Sequence, residues 1–115
     1  MATVAHVGQW IAKGVYKATW TGLTGSDVGD ALVCPNLPDK TVHITGTFNL
    51  DTVIMQGSND GGTTWTQLTD PQGNNISKTA AGVEAIEENP IAIRPSTSGG
   101  TGSVNVTVIC QSQAR

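Results

Sequence analysis

Charge is scarce in this chain. Asp, Glu, Lys and Arg make up 13% of its 115 residues, about half the usual share. The six basic residues (Lys13, Lys17, Lys40, Lys78, Arg94 and Arg115) are scattered, and the net charge is −3. No basic cluster can neutralise a run of phosphates, so no nucleic acid is expected as a partner. No apolar run approaches the roughly 18 residues of a membrane-crossing helix, so no membrane is expected either. The first residues, Met1 to His6, lack the basic start and apolar core of a signal peptide. Synthesis in a cytoplasm is therefore expected.

Cysteine and histidine are equally sparse. Cys34 and Cys110 are far apart, and no CxxC or Cys/His cluster offers metal-ligand spacing, so no metal is expected. The plainest reading is two small buried thiols. Pairing stays open if the folded strands bring them together. The only imidazoles are His6 and His43, and the alternation around His43 puts it on a polar, solvated face.

The marks of catalysis are missing. No Ser lies in a nucleophile elbow. The glycine pairs near 61–62 and 99–102 lack the lysine and helix of a phosphate loop. Glu84, Glu87 and Glu88 beside Pro90 read as an exposed acidic turn rather than two carboxylates facing each other across a cleft. The expectation is no enzyme, no catalytic residue and no cofactor.

What the chain has is Thr and Gly (14 glycines), a composition that favours short strands and tight turns over helices. Over 14–23, Tyr16, Ala18 and Trp20 alternate with Val15, Lys17 and Thr19, the pattern of a half-buried strand. Lys40 to Phe48 alternates likewise, with Val42, Ile44 and Phe48 inward. Val104, Val106, Val108 and Cys110 share one face of a last strand. Short strands are expected at 31–34 and 76–79, and another over 91–94 that stops at Pro95. Residues 80–86 are ambiguous between a strand and a helical turn. About seven to nine strands with regular turn signals predict an all-β fold, an antiparallel β-sandwich or jelly roll. Residues 1–14 read as an N-terminal arm and 15–115 as the sandwich domain. Val4, Val7, Trp10 and Ile11 on the arm are candidate subunit contacts.

Ser58-Asn59-Asp60-Gly61-Gly62-Thr63-Thr64-Trp65 joins two β-prone runs through strong turn chemistry, which predicts a hairpin. Its spacing resembles the Asp-box hairpin of sialidases and their relatives. That resemblance implies that the Asp60 carboxylate caps turn amides, with Ser58, Gly62 and Thr64 completing the turn and Trp65 packing under it. Sialidase propellers need several blades of roughly 40–50 residues each. One box in a chain this short therefore implies a local element and not that activity.

The order of these features, from Trp20-Thr21-Gly22-Leu23 through Leu37-Pro38-Asp39-Lys40 and Gly57-Ser58-Asn59-Asp60-Gly61-Gly62 to Ile91-Ala92-Ile93-Arg94-Pro95 and the closing valine strand, resembles small β-rich virion proteins of tailed bacteriophages. It is similar to the decoration, or cement, type. The resemblance implies a structural role on the capsid exterior, with the major capsid protein and further copies of the chain, as a homotrimer, for partners. The alternative is a tail, collar or fibre-associated sandwich that binds carbohydrate.

Overall fold

A computed structural model describes residues 2–112. Twelve strands follow one another: β1 (Thr3–Val4), β2 (Val7–Ala12), β3 (Val15–Leu23), β4 (Val28–Gly29), β5 (Leu32–Val33), β6 (Asp39–Thr47), β7 (Thr52–Ser58), β8 (Thr66–Gln67), β9 (Ser77–Lys78), β10 (Gly82–Ile86), β11 (Ala92–Ser98) and β12 (Ser103–Gln111). There is no helix among the described residues. The fold is all-β.

The strands form two sheets. One runs β10-β6-β12-β3-β2, and the other runs β1-β4-β11-β7-β8, with β5 also on β11 and β9 also on β7. The core lies between them. Ala18 and Trp20 of β3, Val42 and Ile44 of β6, and Val104, Val106, Val108 and Cys110 of β12 meet Val53 and Met55 of β7 and Ile93 of β11. Strict alternation along β12 places every second residue inside because the side-chain period of a strand is two.

β3 needs an irregularity to keep its apolar residues on one side. Trp20 and Leu23 are three apart, so regular pleating would put them on opposite faces. A bulge solves this: Val106 is opposite Trp20 while Val104 is opposite Leu23, and the Gly22 amide donates to Asn105 Oδ1 at 3.1 Å. Both Trp20 and Leu23 are buried as a result.

Three local expectations change. β11 does not stop at Pro95 but continues to Ser98. Pro95 falls between the residues that pair with β5 (Ile93) and with β4 (Ser96), and proline is tolerated at such a break in the ladder. Residues 82–86 resolve as a strand, paired with Ile44 to Lys40. The first residues are no separate arm. β1 pairs in parallel with β4, and β2 forms an antiparallel hairpin with β3. β1 and β2 thus lie in different sheets, with β2 at the edge of its own.

Candidate functional site

Two regions carry the residues singled out from the sequence. The first is the β7–β8 hairpin, which forms with Gln56 opposite Gln67 and Gly57 opposite Thr66. Asp60 Oδ1 accepts from the Thr64 amide at 2.9 Å, the Thr63 amide at 3.1 Å and Ser58 Oγ at 2.7 Å. Ser58 Oγ in turn accepts from the Gly62 amide at 3.0 Å. Gly62 has φ of 90°, a conformation that glycine adopts without a Cβ penalty. Its carbonyl receives the Trp65 indole N–H at 3.0 Å. The amide of Thr64, then the Ser58 hydroxyl, hold the Asp60 carboxyl down to about 2. The Arg94 guanidinium lies 4.2 Å over the Trp65 ring, and its Nε donates to Gln56 Oε1 at 2.9 Å. Ser58, Asp60, Gly62, Thr64 and Trp65 are thus gathered in one loop.

A cleft of about 540 Å³ opens beside this loop, its walls mixing Asp60, Gln67, Glu88 and Asn89 with the apolar Leu68 and Pro90. The sequence places Glu88 in an exposed acidic turn. It instead accepts from the Thr69 amide at 2.8 Å and from the Thr69 hydroxyl. Burial pushes its carboxyl up, but these hydrogen bonds outweigh burial and leave it below the ordinary carboxylate value.

The second region surrounds β2. All six of its residues are exposed, including Val7 (73%), Trp10 (60%) and Ile11 (52%). Trp10 makes an edge-to-face contact with Tyr16 across the hairpin, with centroids 5.1 Å apart. Val4 does not join this group, which corrects the expectation for it. It lies on β1 in the other sheet and packs against the core.

What anchors the start of the chain was missed from the sequence. Asp30 Oδ1 accepts from the His6 amide at 3.0 Å, His6 Nδ1 at 2.7 Å and the buried Trp20 indole at 2.9 Å. Burial raises the Asp30 carboxyl, and the His6 and Trp20 hydrogen bonds bring it below the ordinary value. Gly29 lets the indole approach. A Cβ there would stand 2.5 Å from Trp20 Nε1. An isolated Asp in a loop gives no sequence signal for this role.

Cys34 and Cys110 do meet, with free thiols 3.1 Å apart, Sγ to Sγ. Lys40 lies at the start of the alternating strand β6. It is 1% exposed, and its Nζ donates to the Leu37 carbonyl at 2.9 Å and to Asn89 Oδ1. Among the described residues no group of three or more His, Cys, Asp or Glu is placed to hold a metal ion.

No protein-family model and no curated protein matches the chain. Solved structures do. The SPBc2 prophage-derived protein YomS is similar over 89% of this chain and 98% of its own, with 17% identity and a TM-score of 0.66. An uncharacterized Klebsiella pneumoniae protein with a double-stranded β-helix domain matches over 96% of this chain and 78% of its own, at 13% identity and a TM-score of 0.46. A recombinant oxalate oxidase matches at 14% identity and a TM-score of 0.45, and this chain spans only 44% of it. That last match corrects the expectation of no enzyme: an oxidase is among the structures that match, so the fold does not exclude catalysis. At such a TM-score it assigns no activity either. What this chain has in common with the prophage-derived protein is its all-β fold.

Proposed function

We propose that this chain is a bacteriophage virion protein of the capsid decoration type, which grips the major capsid protein and its own copies through the free edge of β2. The observation that carries the reading is the exposed apolar edge. Val7 and Trp10 stand on opposite faces of β2, with Ile11 next to them, so apolar side chains surround an unpaired strand edge. β2 has no charged residue and no proline, the usual protections of such an edge. Each 100 Å² of apolar surface covered there contributes about 2.5 kcal/mol before the costs of association. Many copies on a lattice turn modest contacts into firm attachment. Likeness to a prophage-derived protein across nearly the whole of both chains also supports the reading.

The test is cosedimentation with assembled phage heads, with copy number measured against the shell protein. The wild-type chain binds at a fixed ratio, whereas a Trp10→Ala, Ile11→Ser double variant, still folded by circular dichroism, is lost from the particles. Equal occupancy of both sinks the reading. Deleting the first twelve residues would be a poor test, because His6 anchors the Trp20–Asp30 network. The open cleft beside Asp60 and Glu88, with polar groups set among apolar walls, favours a second reading, a tail, collar or fibre-associated module that binds carbohydrate. Titration with oligosaccharides, followed by tryptophan fluorescence, separates the two, since only the second predicts saturable change.

A further inference from the structure

We propose that Cys34 and Cys110 form an inter-sheet redox staple, open as two thiols and closed to a disulfide by a small disulfide oxidant entering beneath Trp10 and Tyr16. Cys34 follows β5 of one sheet, and Cys110 is on β12 in the middle of the other. Their sulfurs are 3.1 Å apart. A bond between them would join the two layers directly.

The two thiols differ in access. Cys34 lines a cavity of about 220 Å³ whose other walls include His6, Trp10, Tyr16, Leu32 and Leu37. Cys110 is fully buried and does not line it. Cys34 is therefore the thiol that an oxidant meets first, and Cys110 is the one behind it. The charge environment favours the same order. The hydrogen bond with Cys110, aided by the charges of Lys40 and His6, lowers the Cys34 thiol against the opposing effect of burial. The same hydrogen bond and burial push Cys110 up. Lys40 lies opposite Cys110 in the β6–β12 register. A thiolate at Cys34 is the competent nucleophile at neutral pH.

The chemistry balances in two exchanges. The Cys34 thiolate attacks one sulfur of the oxidant, the oxidant's S–S bond breaks, and one small thiol leaves with a proton from solvent. Cys110 gives up its proton and attacks Cys34 Sγ in the mixed disulfide. The Cys34–Cys110 bond forms as the second small thiol leaves. Two protein thiols are oxidised to one disulfide, and the oxidant disulfide is reduced to two thiols. The closed ring spans a sequence separation of 76 residues. Chain-entropy arguments put a loop of that size at the upper end of disulfide stabilisation, so closure raises Tm by about 10 °C or more. A protein made under reducing conditions would thus stiffen on release to an oxidising medium.

The test uses the full chain, reduced, desalted and then incubated with oxidised glutathione at neutral pH. Intact-mass analysis should find a monomer two hydrogens lighter with no adduct. Denatured thiol titration should fall from two to zero, and Tm should rise and then return on reduction. Cys110→Ser should trap a stable mixed disulfide at Cys34, and folded Cys34→Ser should stay unmodified. Two thiols surviving in the wild type, an adduct that persists there, or covalent dimers would each overturn the proposal. The wild-type mass and thiol count decide it even if a variant fails to fold.

Discussion

β12 and β2 lie in the same sheet, separated only by β3, yet they have opposite fates. β12 has a partner on each side, and Val104, Val106, Val108 and Cys110 are fully buried. β2 has one partner and no buried residue. Periodicity alone does not make this difference. A strand becomes core when both its edges and its inner face are covered. Apolar residues left on a strand that meets neither condition are available to something outside the chain.

The sharpest way to test that comparison is to shorten a side chain on each side of it. Ile44 is buried on β6, next to β12. Ile44→Ala should cost about 2–5 kcal/mol in denaturant unfolding, through lost burial and the cavity left behind. Ile11→Ala on β2 should stay within about 0.5 kcal/mol of wild type, as exposed substitutions do. Equal costs would mean that β2 is as much a part of the core as β6.

The interior was largely legible in the sequence because alternation reports burial directly. Val42, Ile44, Val104, Val106, Val108 and Cys110 all point inward as their spacing requires. The hairpin at 58–65 was legible because its turn residues interact with one another. The position of the first residues was not. Val4, Val7 and Ile11 follow no single strand period, because Val4 belongs to β1, paired with β4, whereas Val7 and Ile11 belong to β2, whose hairpin with β3 shifts register between Trp10 and Ala12. Lys40 follows the alternation, on the inward face with Val42 and Ile44, but its charge hides that burial. A buried ammonium is admissible only with acceptors around it, and Leu37 and Asn89 supply these from two other segments. Pro95 misled because a proline ends a strand only where its amide is needed.

Between the two strands in effect stands Asp30, which ties the β1–β2 segment to Trp20. Asp30→Asn keeps the shape but replaces a charged acceptor that serves three donors. A loss of about 1–3 kcal/mol is expected. Amide exchange should quicken first in residues 3–12, with β12 protected as before. Uniform loss of protection would place the Asp30 network in the core's cooperative unit and erase the contrast between edge and centre.

The smallest effect concerns the hairpin, which is ordered by polar groups and not by burial. The folded Asp60 carboxyl titrates near 2 against an ordinary 3.8, chiefly because the Thr64 amide and Ser58 hydroxyl bond its charged form. A depressed carboxyl stabilises the fold above its ordinary value, and that contribution fades as pH falls through the folded value. As pH falls from 4 through the folded value, the Thr63 and Thr64 amide resonances should therefore move together, with a midpoint near 2, while those of β12 hold still. Asp60→Asn should abolish that titration and leave the global midpoint of unfolding nearly unchanged, because the loop is exposed and its cap is local. A titration at the ordinary carboxylate value would mean that Asp60 does not hold the turn in solution. The order of the loop would then have to come from Trp65 beneath Arg94, a contact insensitive to acid in this range.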